Sequence, residues 1–125
     1  MTTQLPIKTI KQGTYSGIGV KKLSEIQSSF DFSLLWNAHH ARITPQPALP
    51  LVNFSKEMVI AVYAGTKSNA GYSITVEQVE DDGNLVTISY RERSPSGMTA
   101  AVMTQPFHLV TIPKTSKQIV FKRLP

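Results

Sequence analysis

The chain has no cysteine. That excludes disulfide staples, Cys-ligated zinc, iron–sulfur clusters and thiol catalysis. Charge is also sparse, at 17% of residues, which is too little for a disordered, solvated tail. Apolar residues at 41% suffice for one core. No apolar run approaches the roughly 20 residues of a membrane span. The opening MTTQLPIKT lacks the apolar stretch of a signal peptide. There is no internal repeat and no low-complexity tract. What the chain does have is β-branched residues: Val, Ile and Thr number 32, against 17 for Ala and Leu. Such side chains pack well on pleated surfaces. At 125 residues, positions 1–125 read as a single β-rich domain.

Acid is missing from both ends. Residues 1–22 hold Lys8, Lys11, Lys21 and Lys22, and residues 113–125 hold Lys114, Lys117, Lys122 and Arg123, with no Asp or Glu in either segment. The middle carries a net −3, so the overall +5 belongs to the termini. One reading is that the ends pair into a basic, anion-binding face. The favoured reading is that the lysines protect exposed edge strands.

Along the chain, PIKTIKQGTYSGIGV at 6–20 reads as an irregular edge strand or a pair of short ones. Gly13, Gly17 and Gly19 fall at bulges or turns, because their spacing does not fit a phosphate loop. Residues 29–41 read as the one helix, with Ser29 as N-cap and Asp31 in the first turn. Phe30, Leu34 and Ala38 form the expected buried stripe, widened by Leu35 and flanked by Phe32 and Trp36. Pro45, Pro47 and Pro50 make the following connector stiff and extended. Residues 57–64 are apolar on both faces, as in a central strand. Strands follow at 72–80, with a bulge or strand end near Val79, at 85–93, at 101–112, which is mostly extended and interrupted by Pro106, and a last one at 118–123. Asp81-Asp82-Gly83-Asn84 marks a hairpin turn and Ser94-Pro95-Ser96-Gly97 a loop. Short connections after residue 64 point to antiparallel neighbours. The expected fold class is α+β. About six mostly antiparallel strands form an open barrel or a sandwich-like sheet, with the 29–41 helix packed on it. The expected core is Leu34, Leu35, Trp36, Met58, Ile60, Val62, Ile74, Val76, Val86, Ile88, Leu109, Val110 and Phe121.

No catalytic constellation is apparent. His39 and His40 are adjacent, whereas a zinc helix places histidines four apart with a carboxylate. They read instead as helix C-terminal residues near the free carbonyls. His108 reads as a half-buried, hydrogen-bonded strand residue. There is no Gly-x-Ser-x-Gly elbow and no paired acid and base, and the Asp81-Asp82 turn lacks the spacing of a calcium loop. Neither a metal nor a cofactor is expected. The basic ends contain only Tyr15 and Phe121 as aromatics, so nucleic-acid binding is disfavoured.

A family resemblance adds to this. Phe54-Ser55-Lys56-Glu57-Met58-Val59, then Gly65, then Gly71-Tyr72-Ser73-Ile74, the Pro95/Gly97 loop, Pro106-Phe107-His108-Leu109-Val110 and Ile112-Pro113-Lys114 occur in order at compact spacing. Residues 52–123 thereby resemble the C-terminal domain of the PrcB family, protease complex or protease-associated proteins of bacteria. The segment with Trp36, Asn37 and Pro50 resembles what precedes that domain. The resemblance implies a non-catalytic domain, often exported or lipid-anchored, with one relative an accessory of a secreted protease complex. It supplies no catalytic residues, and this chain departs from it in having no lipobox cysteine and no export signal. As written, the sequence reads as cytoplasmic, or as exported or periplasmic if it is a trimmed form.

The expected function is therefore a non-catalytic protein-interaction module, an accessory or stabilising subunit for a protease or envelope complex. Its expected partner is another protein, and its oligomeric state is open. Its surface would be an exposed sheet edge or the loops 65–71 and 94–104. The residues singled out for binding are Gly71, Tyr72, Pro95, Gly97, Met98, Phe107 and His108. The alternatives are a protease inhibitor presenting Met98 or Met103 from the 94–105 loop, and a small-ligand-binding domain or enzyme using His108, Tyr72 or Tyr90 in a pocket between helix and sheet.

Overall fold

The computed structural model describes residues 1–125. The elements in chain order are β1 (Thr3–Gln4), β2 (Lys8–Gly13), β3 (Lys21–Ile26), α1 (Ser29–His39), β4 (Glu57–Ala64), β5 (Ser73–Asp81), β6 (Leu85–Arg93), β7 (Phe107–Pro113) and β8 (Gln118–Arg123). They form two four-stranded sheets, ordered β1-β5-β6-β8 and β2-β7-β4-β3. The class is α+β, with eight strands rather than six and no closed barrel. The two strands beyond the expectation are β1, only two residues long, and β3, whose sequence KKLSEI is half charged. Neither has the apolar alternation by which a strand is recognised in sequence.

Three layers follow from the alternation of side chains along β4 and β7. Met58, Ile60, Val62 and Ala64 join Val110 and Ile112 in facing the first sheet. There they pack with Ile74, Val76, Val79, Val86, Ile88 and Tyr90. Val59, Ala61, Tyr63, Phe107 and Leu109 point the other way and are covered by Phe32, Leu35 and Trp36 of α1. A strand buried on both faces has no polar phase, which is why 57–64 reads as unbroken apolar sequence. The bulge expected in β5 lies at Glu77, between the Val76–Tyr90 and Gln78–Ser89 pairs. It moves Val79 onto the buried face.

Three expectations are corrected. The helix ends at His39 rather than residue 41, and its N-cap is Ser28, whose Oγ accepts the Asp31 N–H at 3.2 Å. The buried stripe is Phe32, Leu35, Trp36 and His39. Phe30 and Leu34 are 69% and 54% exposed. Both stripes have helical spacing, but only the second buries the indole and the larger combined ring area. The connector is also part of the reason, since Trp36 Nε1 donates to Pro47 O at 2.9 Å and ties residues 45–50 to that face. Finally, short connections do not always join neighbours here. β5 and β6 form the expected antiparallel hairpin, but β4 to β5, β6 to β7 and β7 to β8 each cross between sheets, and β8 pairs with β6 in parallel. Of the expected core residues, Phe121 is only half-buried at the rim of the cluster.

The basic termini do not pair with each other. β1, β2, β3 and β8 are the four edge strands. Lys21 and Arg123 both reach Glu92 (3.0 and 3.5 Å), and Lys117 reaches Asp81 at 2.6 Å.

Candidate docking surface and buried histidines

Five of the seven residues singled out in the sequence lie at one end of the molecule. The loops around residues 65–71 and 94–104 pair there. Lys67 and Thr104 exchange backbone hydrogen bonds (2.8 and 3.0 Å), and Ala70 N–H donates to Ala100 O at 3.0 Å. Asn69 Nδ2 donates to Thr99 Oγ1 and Thr104 Oγ1 to Asn69 O, both at 3.1 Å. Gly71 locks the two loops together. Its φ is +96°, and a Cβ there would lie 2.5 Å from Pro95 Cβ, so both the left-handed backbone and the close approach require glycine. Lys67 Nζ sits 5.5 Å from the centre of the Tyr72 ring. Gly97, at φ +83°, turns the second loop, and the next residue, Met98, is fully exposed, with Met103 largely so.

Phe107 and His108 are not on this surface. Phe107 is buried under the helix, with its ring centre 4.2 Å from that of His39. His108 lies between the two sheets and is only 3% exposed. Its Nδ1 accepts the Val76 N–H at 2.9 Å, and its Nε2 meets Thr9 Oγ1 at 2.9 Å. With Nδ1 an acceptor, the neutral ring carries its proton on Nε2 and donates to Thr9. The imidazole thus links β7 to β5 across the core and to β2 at the sheet edge. Burial lowers its pKa. Tyr90 shares this inter-sheet core, while Tyr72 belongs to the loop end. No common pocket between helix and sheet unites His108, Tyr72 and Tyr90. A groove of about 360 Å³ does run between β3 and α1, past Ile26 and Leu35, without any of the three.

A second cluster went unrecognised in the sequence. His39 and His40 are both buried rather than arrayed at an open helix end. His40 Nδ1 donates to Trp36 O at 2.9 Å, and its Nε2 accepts from Lys11 Nζ at 2.8 Å. Lys11 Nζ lies 5.5 Å from the Trp36 ring centre. His39 Nδ1 meets Ser16 Oγ at 2.8 Å and the Tyr63 hydroxyl at 3.2 Å. Ser16 Oγ in turn accepts the Ile18 N–H at 3.0 Å. Gly17 N–H donates to His39 O at 2.8 Å, satisfying a carbonyl at the helix end. Burial first, then His40 and Lys11, hold the His39 pKa down to about 4. Burial also raises that of the Tyr63 hydroxyl. The Ser16–His39 contact holds the orientation of the ring. The signal for this cluster was present in the sequence: His39 falls three and seven residues after Trp36 and Phe32, on the face with the bulkiest rings.

No group of three or more His, Cys, Asp or Glu side chains is placed to hold a metal ion. No helix is long and apolar enough to cross a membrane. No curated protein and no solved structure matches the chain. Residues 58–113, from the second residue of β4 to the end of β7, match the family described as PrcB C-terminal, and this segment of the chain belongs to that family.

Proposed function

We propose that this protein is a non-catalytic interaction module, an accessory or stabilising subunit for a protease or envelope complex, and that it docks through the paired loops at 65–71 and 94–104. The observation that carries the reading is the exposed Met98 on a loop already fixed by its neighbour. Methionine side chains adapt to irregular apolar partners. A loop held in place before binding loses less entropy when it docks. The test is crosslinked capture from native lysate with the wild type and a Met98→Asp/Met103→Asp variant. The wild type is expected to retain a defined protein that the variant releases. Equal capture by both, or none by either, rules out this surface.

A protease inhibitor is the second reading, favoured by the same bracing. Small inhibitors commonly hold their reactive loop with disulfides, and here cross-loop hydrogen bonds hold residues 99–104. A panel of serine proteases and metalloproteases distinguishes the two. Inhibition that Met98→Asp abolishes favours this reading, and unaltered protease activity removes it.

A further inference from the structure

The cavity beside His39 has features that the docking surface does not use. It measures about 170 Å³ and lies between the 14–17 turn and the C-terminal end of α1, bordered by Tyr15, His39, Arg42, Ile43 and Gln105. His39 is only 3% exposed, yet its Nε2 has no partner, since both of its hydrogen bonds are made by Nδ1. Nor is Nε2 among the fully enclosed unpaired side-chain atoms, which are Ser24 Oγ and Thr111 Oγ1. It therefore keeps some open surface, and the cavity is one that His39 lines.

The contacts accommodate a tautomer with the proton on Nε2, the one that the binding mode below takes. Ser16 Oγ already accepts from Ile18 N–H, so its own proton is free to go to His39 Nδ1. An Nδ1 that accepts leaves the ring proton on Nε2, facing the open space. Gln105 Oε1 accepts the Ser16 N–H at 3.3 Å, which leaves the amide NH2 of Gln105 as a second donor at the cavity wall. Arg42 makes no ion pair, and no carboxylate lines the space. The charged and titratable groups close to His39 are Lys11, His40 and Tyr63, none of them an anion at neutral pH. Tyr15 and Ile43 supply apolar walls and are themselves partly open to solvent.

We propose that this cavity binds the carboxylate of a small, otherwise apolar acid. Arg42 and the Nε2–H of His39 hold the carboxylate, Gln105 assists, and Tyr15 and Ile43 cover the apolar part. An arginine with two further N–H donors and no competing acid is an arrangement for a planar anion rather than a cation. The volume corresponds to about five or six water-sized groups, which suits a short branched or aromatic acid. The same carboxylate chemistry occurs at the C-terminus of a peptide.

Nitrogen-detected NMR of the histidine rings, with isovalerate and phenylacetate as probes, tests the proposal. The free protein should show His39 as the neutral Nε2–H tautomer. Either acid should shift the His39 Nε2 and Arg42 signals saturably, in the millimolar range or tighter, while isovaleramide should not. Arg42→Gln should weaken binding about tenfold, as loss of a charge-assisted pair would. Because Arg42 is exposed, the thermal unfolding of that variant should match the wild type. A peptide ending in leucine with a free carboxylate is the second arm. Binding tighter than isovalerate assigns the site to a chain terminus, and weaker binding assigns it to a free acid. The proposal is overturned by an Nδ1–H tautomer, by equal response to acid and amide, by inorganic phosphate binding as well as the acids, or by no response to either acid.

Discussion

Two imidazoles are buried in the fold, where a charged ring is disfavoured. His108 accepts the Val76 N–H, and His39 Nδ1 shares hydrogen bonds with Ser16 and Tyr63 while its ring packs against Phe107 and Trp36. Both have folded-state pKa values below the ordinary 6.5, about 4 for His39. Between those limits the unfolded chain binds more protons than the folded one, so folding stability rises with pH across that interval. The stabilisation is complete above about pH 6.5 and falls as the pH drops toward 4. His39 alone accounts for a loss of about 3 kcal/mol by then. Urea unfolding at several pH values, with the histidine Cε1 protons followed by NMR, checks this. A stability that is flat from pH 7 to 4.5 contradicts it. Glu77, Asp81 and Asp82 also have lowered pKa values, through Arg91, Lys117 and the backbone N–H of Leu85 respectively, but these exposed groups act in the more acid range. Glycine at position 71 makes a separate prediction. Gly71→Ala meets Pro95 and must hold a positive φ, so it should cost about 2–4 kcal/mol in chemical denaturation. Gly83→Ala, also at positive φ but with nothing within 4 Å, should cost less. The sequence singled out Gly71 beside Tyr72 for binding, and the structure gives it a structural use, a positive φ at a close approach. The sequence did not suggest Pro95 as the contact, because the two residues belong to loops separated by an entire hairpin.

At the level of the elements, the helix separates what was legible from what was not. Its position, its single turn of acid and its proline-bounded exit follow from local chemistry. Its orientation does not, because Phe30/Leu34/Ala38 and Phe32/Leu35/Trp36/His39 both satisfy helical spacing, and the partner sheet decides between them. Truncating each phenylalanine reports the choice. Phe32→Ala removes a fully buried ring and should cost about 3–5 kcal/mol. Phe30→Ala removes a largely exposed one and should change stability by no more than about 0.5 kcal/mol. Equal costs would mean that the helix sits the other way round. The strands were legible wherever burial dictates the residue pattern: β4 as an all-apolar run, and β5 and β6 as alternations. The edge strands β1 and β3 were not, since a strand with one exposed rim is free to carry KKLSEI. Which sheet each strand joins was also hidden, because a connection of a few residues crosses a sandwich corner as readily as it closes a hairpin.

Across the whole molecule, the family-matched segment 58–113 lies within β4, β5, β6 and β7, which are the two inner strands of each sheet. All four rims come from outside it: β1, β2 and β3 from residues 3–26 and β8 from residues 118–123. The concentration of positive charge at the chain ends is therefore a concentration at sheet edges, where lysine opposes pairing with a second molecule. This arrangement also has a consequence in time. Synthesis runs from the N-terminus, so residues 3–26 leave the ribosome before any of their partners in β4, β5 and β7 exist. Three strands must wait, unpaired, for the interior they will border. The acid-free opening segment, with like charges at Lys8, Lys11, Lys21 and Lys22, repels copies of itself on neighbouring nascent chains during that interval.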